Sequence, residues 1–182
     1  MRIKRRGHQI FGVAVAILCL VGTARGIPEM SDAKKKETVY QLYAAYKKDF
    51  PDVRDIAPKQ ALELLNHGKV VFVDTRKSKE MSISMIPGAV SGQHFLDHMD
   101  QYSDKTIVVY CTISYRSGMF ARDLTRQGIP ILNLKGGILA WLLEGGKVVD
   151  PSGKEVQQVH VYGDRWEYAP AGYTSVKFSL WE

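Results

Sequence analysis

The chain alternates between short apolar runs and longer stretches in which apolar positions recur at helical spacing. "KVVFVDTR" (69–76) and "TIVVYC" (106–111) are near-continuous runs of β-forming residues, as expected of strands covered on both faces. "VRDI" (53–56), the end of "MIPGAV" (85–90) and "PILNL" (130–134) read as shorter strands. Between them, "APKQALELLNHG" (57–68) has Pro58 near its start and Gly68 just past its end, the expected asymmetry of a helix. "SGMFARDLTRQG" predicts a helix beginning near Ser117 and closing on Gly128, and "GGILAWLLEGG" (136–146) a helix bounded by glycines. Strands alternating with helices predict an α/β fold, a central, mostly parallel sheet flanked by helices, over residues 51–149.

The flanks follow other patterns. In "SDAKKKETVYQLYAAYKKDF" the residues Val39, Leu42, Tyr43, Tyr46 and Phe50 recur at helical spacing, so residues 25–50 are read as an amphipathic helix with its lysines in water, ended by Pro51. Its aromatics are expected to pack on the main domain. Residues 150–182 alternate over "VQQVHVYG", turn at Gly153, Gly163 and Gly172, and are rich in Tyr and Trp. They read as a β-rich extension docked on the domain edge, its aromatics again chiefly packing.

The first residues belong to neither. "MRIKRRGHQ" is basic, "IFGVAVAILCLVG" is a 13-residue apolar run, and "TARGIP" supplies small residues. This is the layout of a secretory signal over residues 1–24, with cleavage fitting after Ala24 or Gly26. The run is short for a stable membrane span, which needs about 20 apolar residues. The expectation is therefore an exported protein, periplasmic or secreted, with anchoring by an uncleaved signal as the alternative. Removing 1–24 takes away Arg2, Lys4, Arg5 and Arg6 and no acid, so the net charge of +6 falls to +2. The basicity is mostly targeting, and no nucleic-acid surface is indicated. Of the 2 cysteines, Cys19 lies in the apolar run, which leaves Cys111 as an unpaired thiol.

Cys111 ends the "TIVVYC" strand and Asp74 ends the "VFVD" strand, so both are expected at the carboxyl edge of the sheet, where functional groups gather. The loop "CTISYR" then feeds a helix. Converging loop amides and a helix start favour a thiolate over a thiol, and Arg116 adds a full charge. Such a sulfur suits nucleophilic attack on an anionic substrate. His94, His98 and His160 share no metal-ligand spacing with one another or with Cys111, and no metal or cofactor is expected.

At these residues the chain resembles the single-domain rhodanese-like sulfurtransferase family, over about residues 50–148. The matching features are the "DTR" strand end, "IPGA", the Cys-x4-Arg loop and "GGILAW", in that order. The resemblance implies a rhodanese fold in which Cys111 is catalytic, taking sulfane sulfur as a persulfide from thiosulfate, a persulfide or a polysulfide and passing it to a thiol or cyanide. It implies that Thr112, Ile113, Ser114, Tyr115 and Arg116 cradle that sulfur, with Ser117 and Asp74 as further substrate-binding positions. The implied partners are a sulfane-sulfur donor and a thiol acceptor, small molecule or protein. "DTR" is as consistent with ion pairing, Arg76 with Glu80, as with substrate contact.

The chain departs from the family pattern at three places. Met85 stands where many members have a histidine, Thr112 where the loop often has an arginine, and Ser114 where it often has glycine, which reaches φ > 0 more cheaply. With less positive charge, thiosulfate is expected to be a poorer donor than a persulfide. The alternative readings are a persulfide carrier or protein-docking module and a cysteine-dependent phosphatase or arsenate reductase. The phosphatase loop needs five residues between Cys and Arg, and only Thr112 to Tyr115 lie here.

Overall fold

The computed structural model describes residues 30–178. The segment read as a signal lies outside the described residues. In chain order the main elements are α1 (Asp32–Tyr46), β1 (Arg54–Ile56), α2 (Pro58–Asn66), β2 (Val70–Asp74), α3 (Ser78–Met81), β3 (Val90–Ser91), α4 (Gly92–Asp97), β4 (Thr106–Tyr110), α5 (Tyr115–Thr125), β5 (Ile131–Leu134), α6 (Gly137–Leu143), β6 (Gln158–His160) and β7 (Thr174–Val176). Strands β1 to β5 form a 5-stranded sheet in the order β1-β5-β4-β2-β3, and every pairing is parallel. The fold is α/β, with helices on both faces.

The apolar runs explain the two-sided core. Along β2 and β4 successive side chains point to opposite faces. Phe72, Val108 and Tyr110 enter the layer with Ala61 of α2 and Ile138 and Trp141 of α6. Val71, Val73, Ile107 and Val109 enter the other, with Phe95 of α4 and Ala121 and Leu124 of α5. Phe72 meets Tyr110 at 6.3 Å and Trp141 at 5.3 Å, both edge to face, a preferred aromatic geometry.

Because the strands are parallel, their carboxyl ends share one edge. Asp74 of β2 is in register with Tyr110 of β4, which brings Asp74 and Cys111 to that edge. Helix α5 starts at Tyr115, two residues before the expected Ser117. Among the described residues no helix is long and apolar enough to cross a membrane.

The flanks dock on the α1–α6 side. Ser31 caps α1 by accepting from the Lys34 amide. Lys35 departs from the expectation that the lysines face water: it is buried, and its Nζ donates to the Ala169 carbonyl at 3.0 Å. Its ammonium reaches that carbonyl because the carboxyl-terminal segment folds back over α1, where the Ala171 amide also donates to Asp32 at 2.9 Å. Val159 and Val161 are fully buried in the core. Among the described residues that segment contains little regular structure: one pair of three-residue strands, β6 and β7, running parallel, and a 3-10 turn at Asp164–Trp166.

Candidate active site

The Cys111 loop is held from behind by α6. Ile138 N donates to the Cys111 carbonyl at 2.9 Å, and Leu139 N to the Thr112 carbonyl at 3.3 Å. This close approach requires Gly137, whose φ is +64° and where a Cβ would lie 2.4 Å from the Cys111 oxygen. With those carbonyls turned to α6, the amides stay free. Among the described residues, the N–H groups of 112–117 donate to no backbone or side-chain acceptor, the usual state of a helix start.

Ser114 makes the turn. It holds φ 73° and ψ 4° and is the one non-glycine residue at positive φ among the described residues. Its hydroxyl donates to the Leu134 carbonyl, and its own carbonyl accepts from Gly118 N at 3.0 Å. The buried hydroxyl bond offsets the cost of a left-handed serine, about 1 kcal/mol each way.

Arg116 is bound to Glu80, not left as a lone charge. Its Nη1 donates to Oε2 at 2.6 Å and its Nη2 to Oε1 at 2.8 Å, and Nη2 also reaches Thr112 Oγ1 at 3.3 Å. Burial alone would raise the Glu80 carboxyl. Contacts from Arg116, His160 and the Lys77 amide more than reverse this and hold it well below the usual carboxylate range. His160 packs beside this carboxylate: it is buried, its Nδ1 lies 3.3 Å from Glu80 Oε1, and its ring stacks on Phe178 at 4.6 Å.

The expected pairing of Arg76 with Glu80 is corrected. Arg76 grips Asp74 instead, Nε to Oδ1 at 2.9 Å and Nη2 to Oδ2 at 2.6 Å, and also donates to the Ser84 carbonyl at 2.6 Å. Both side chains are wholly buried, so Asp74 is sealed beneath the loop that follows β2. Ser117 is likewise buried, its hydroxyl donating to Asn133 at 2.7 Å. Neither Asp74 nor Ser117 lines the cavity at Cys111.

That cavity has a volume of about 420 Å³. Of the residues read from the sequence, Cys111, Thr112, Ile113, Tyr115 and Arg116 line it. Ser114 lies behind them, shaping the loop. The other walls are Tyr46 of α1 and Tyr162 and Trp166 of the carboxyl-terminal segment, which sequence reasoning assigned to packing. The Tyr162–Trp166 spacing in a polar stretch was the one available signal. Cys111 is itself buried and lines this cavity.

Among known proteins, the family described as Rhodanese-like domain matches residues 57–144. A sulfurtransferase of Allochromatium vinosum is 36% identical over 88 residues, which cover 46% of this chain and 82% of that protein. A tRNA uridine(34) hydroxylase of Synechocystis is 31% identical over 97 residues, 48% of this chain but only 35% of that longer protein. A solved structure of thiosulfate sulfurtransferase from Pseudomonas aeruginosa aligns with a TM-score of 0.51 at 20% identity, covering 68% of this chain and 24% of that one. That likeness is one of fold.

Proposed function

Because the chain belongs to the rhodanese-like family, we propose that it is a sulfurtransferase working through a persulfide on Cys111. The observation that carries this reading is the loop itself: a cysteine whose carbonyl, with that of Thr112, is tied to α6, followed by amides of 112–117 that have no acceptor among the described residues. Such a ring of N–H groups stabilises a sulfur anion at its centre. The similarity to the Allochromatium sulfurtransferase supports the same class.

The chemistry follows in two balanced steps. The Cys111 thiolate attacks the sulfane sulfur of a donor R–S–SH. The Sγ–S bond forms, the donor's S–S bond breaks, and its electron pair leaves on R–S⁻. The transferred sulfur then rests among the loop amides. An acceptor thiolate attacks it, and the pair of the breaking bond returns to Cys111. Arg116, fixed by Glu80, Thr112 and the Tyr162 ring, holds the rim of the loop in place.

The test is intact mass spectrometry of the protein after incubation with a sulfane donor. One added sulfur mass, located on Cys111, removed by a small thiol and absent in Cys111→Ser, is the expected result. A folded Cys111→Ser variant that transfers sulfur at the parent's rate would overturn the reading. Repeated turnover, rather than a single stoichiometric release, distinguishes an enzyme from a carrier.

For the amino terminus we infer export, from the basic–apolar–small pattern of residues 1–26. The mature chain then begins at Arg25 or Ile27, outside the cytoplasm. Recovery of chains intact at Met1 in the membrane fraction would refute this.

A further inference from the structure

The cavity above Cys111 is larger and less polar than transfer from an inorganic anion requires. Its volume of about 420 Å³ falls in the range of sites that take organic ligands. Four aromatic rings from three separate parts of the chain form a linked belt around it. Tyr115 meets Tyr46 edge to face at 5.3 Å, and the Tyr46 hydroxyl accepts from Trp166 Nε1 at 3.3 Å. Trp166 meets Tyr162 at 5.4 Å, and Tyr162 faces the Arg116 guanidinium at 5.4 Å, which closes the belt. Tyr162 is 59% exposed and Tyr115 40% exposed. Rings serving only to pack would be covered, whereas these stand at the mouth.

Charge points the same way. Arg116 is the sole charged residue among those lining the cavity, and both its terminal nitrogens are committed to Glu80. A dianion such as thiosulfate would give up its hydration to meet a cation already neutralised, a poor exchange. An apolar or aromatic body loses little on leaving water and gains contacts with the rings.

We propose that the substrate of this site is a low-molecular-weight organic persulfide, R–S–SH, whose aromatic or alkyl R stacks inside the belt, with Tyr46, Tyr162 and Trp166 setting the specificity. This rests on the reading of Cys111 as the sulfur-accepting group. The Cys111 Sγ takes the outer sulfur, the S–S bond of the donor breaks, and R–S⁻ leaves with the electron pair while R is still held by the belt.

The experiment uses the full chain with two donors, benzyl persulfide and cysteine persulfide, which differ in R alone. Calorimetry with benzyl methyl sulfide, which has no sulfur to transfer, reads binding separately. The parent is expected to favour benzyl persulfide at least tenfold in kcat/KM and to bind the sulfide saturably. In Tyr162→Ala, an exposed position, the preference is expected to fall about tenfold, mainly through KM, and sulfide binding to weaken, with Tyr162→Phe restoring both. Equal kcat/KM for the two donors, or a preference unchanged in Tyr162→Ala, would overturn the proposal. So would sulfur uptake only from a protein-borne persulfide. Saturable sulfide binding with no sulfur uptake from any donor would instead overturn the assignment of Cys111 and leave the ligand class standing.

Discussion

Glu80 and Arg116 meet as a two-pronged ion pair, Nη1 to Oε2 at 2.6 Å and Nη2 to Oε1 at 2.8 Å, with the Glu80 side chain 4% exposed and the Arg116 side chain 31%. The pair joins α3 to the first turn of α5, and His160 approaches it from the carboxyl-terminal segment. Three separate stretches of chain therefore converge on this ion pair. The pair sets the direction of the guanidinium and also cancels its field.

Removing the carboxylate separates those two effects. Glu80→Gln is expected to raise kcat/KM for thiosulfate several-fold relative to an organic persulfide, because Arg116 regains a net charge. The same change should lower stability by about 2 kcal/mol, less than for a fully buried pair because Arg116 is partly in water. Steady-state kinetics with both donors and urea unfolding check this. An unchanged donor ratio would mean that Glu80 acts on geometry alone.

The depressed Glu80 carboxyl also predicts an acid response. Its ordinary value is 4.5, and in the folded protein it lies well below that, so the folded state favours the charged form. The stabilisation is fully present above the unfolded value and is lost as pH falls through the range between the two. The urea midpoint of the parent should decline between about pH 5 and about pH 3, and that of Glu80→Gln should decline less. Parallel curves would remove Glu80 from the acid response.

Ser114 offers a test of the loop geometry. Ser114→Ala keeps the left-handed strain and leaves the buried Leu134 carbonyl without its donor, so a loss of about 1–2 kcal/mol is expected. Ser114→Gly loses the same bond but relieves the strain and should fall within about 1 kcal/mol of the parent. Thermal or urea unfolding of the two variants decides. An alanine variant as stable as the glycine variant would show that the φ of 73° costs nothing here.

The sheet was legible in the sequence because β2 and β4 carry apolar residues on both faces, a pattern few other elements produce. The Cys111 loop was legible for a related reason, a thiol and an arginine placed where an apolar strand turns into a helix. Other features depended on contacts that no local pattern encodes. Glu80 had two arginines within reach, Arg76 and Arg116, and which one it meets is decided by Arg76 closing on Asp74. Lys35 looked like a wet-side lysine until the carboxyl-terminal segment covered it. Tyr46 and Trp166 are 120 positions apart, so their bond over the cavity exists only once both flanks have docked.

Arg116→Lys asks whether shape or charge matters at the rim of the site. Lysine keeps the positive charge, so an attraction that is purely electrostatic would survive the change. It has one nitrogen in place of a planar fork, and so cannot satisfy both Glu80 oxygens and Thr112 at once, nor stack broadly on Tyr162. The belt then opens at its Tyr162 end, and one Glu80 oxygen loses its guanidinium partner. Sulfur transfer from an organic persulfide is expected to fall about tenfold or more, while transfer from thiosulfate, which gains nothing from the belt, falls less. Stability should drop by only about 1 kcal/mol, since the ion pair survives in single-pronged form. Equal losses for both donors would show that Arg116 serves the loop and not the bound body, and parent-like rates for both would remove it from the mechanism.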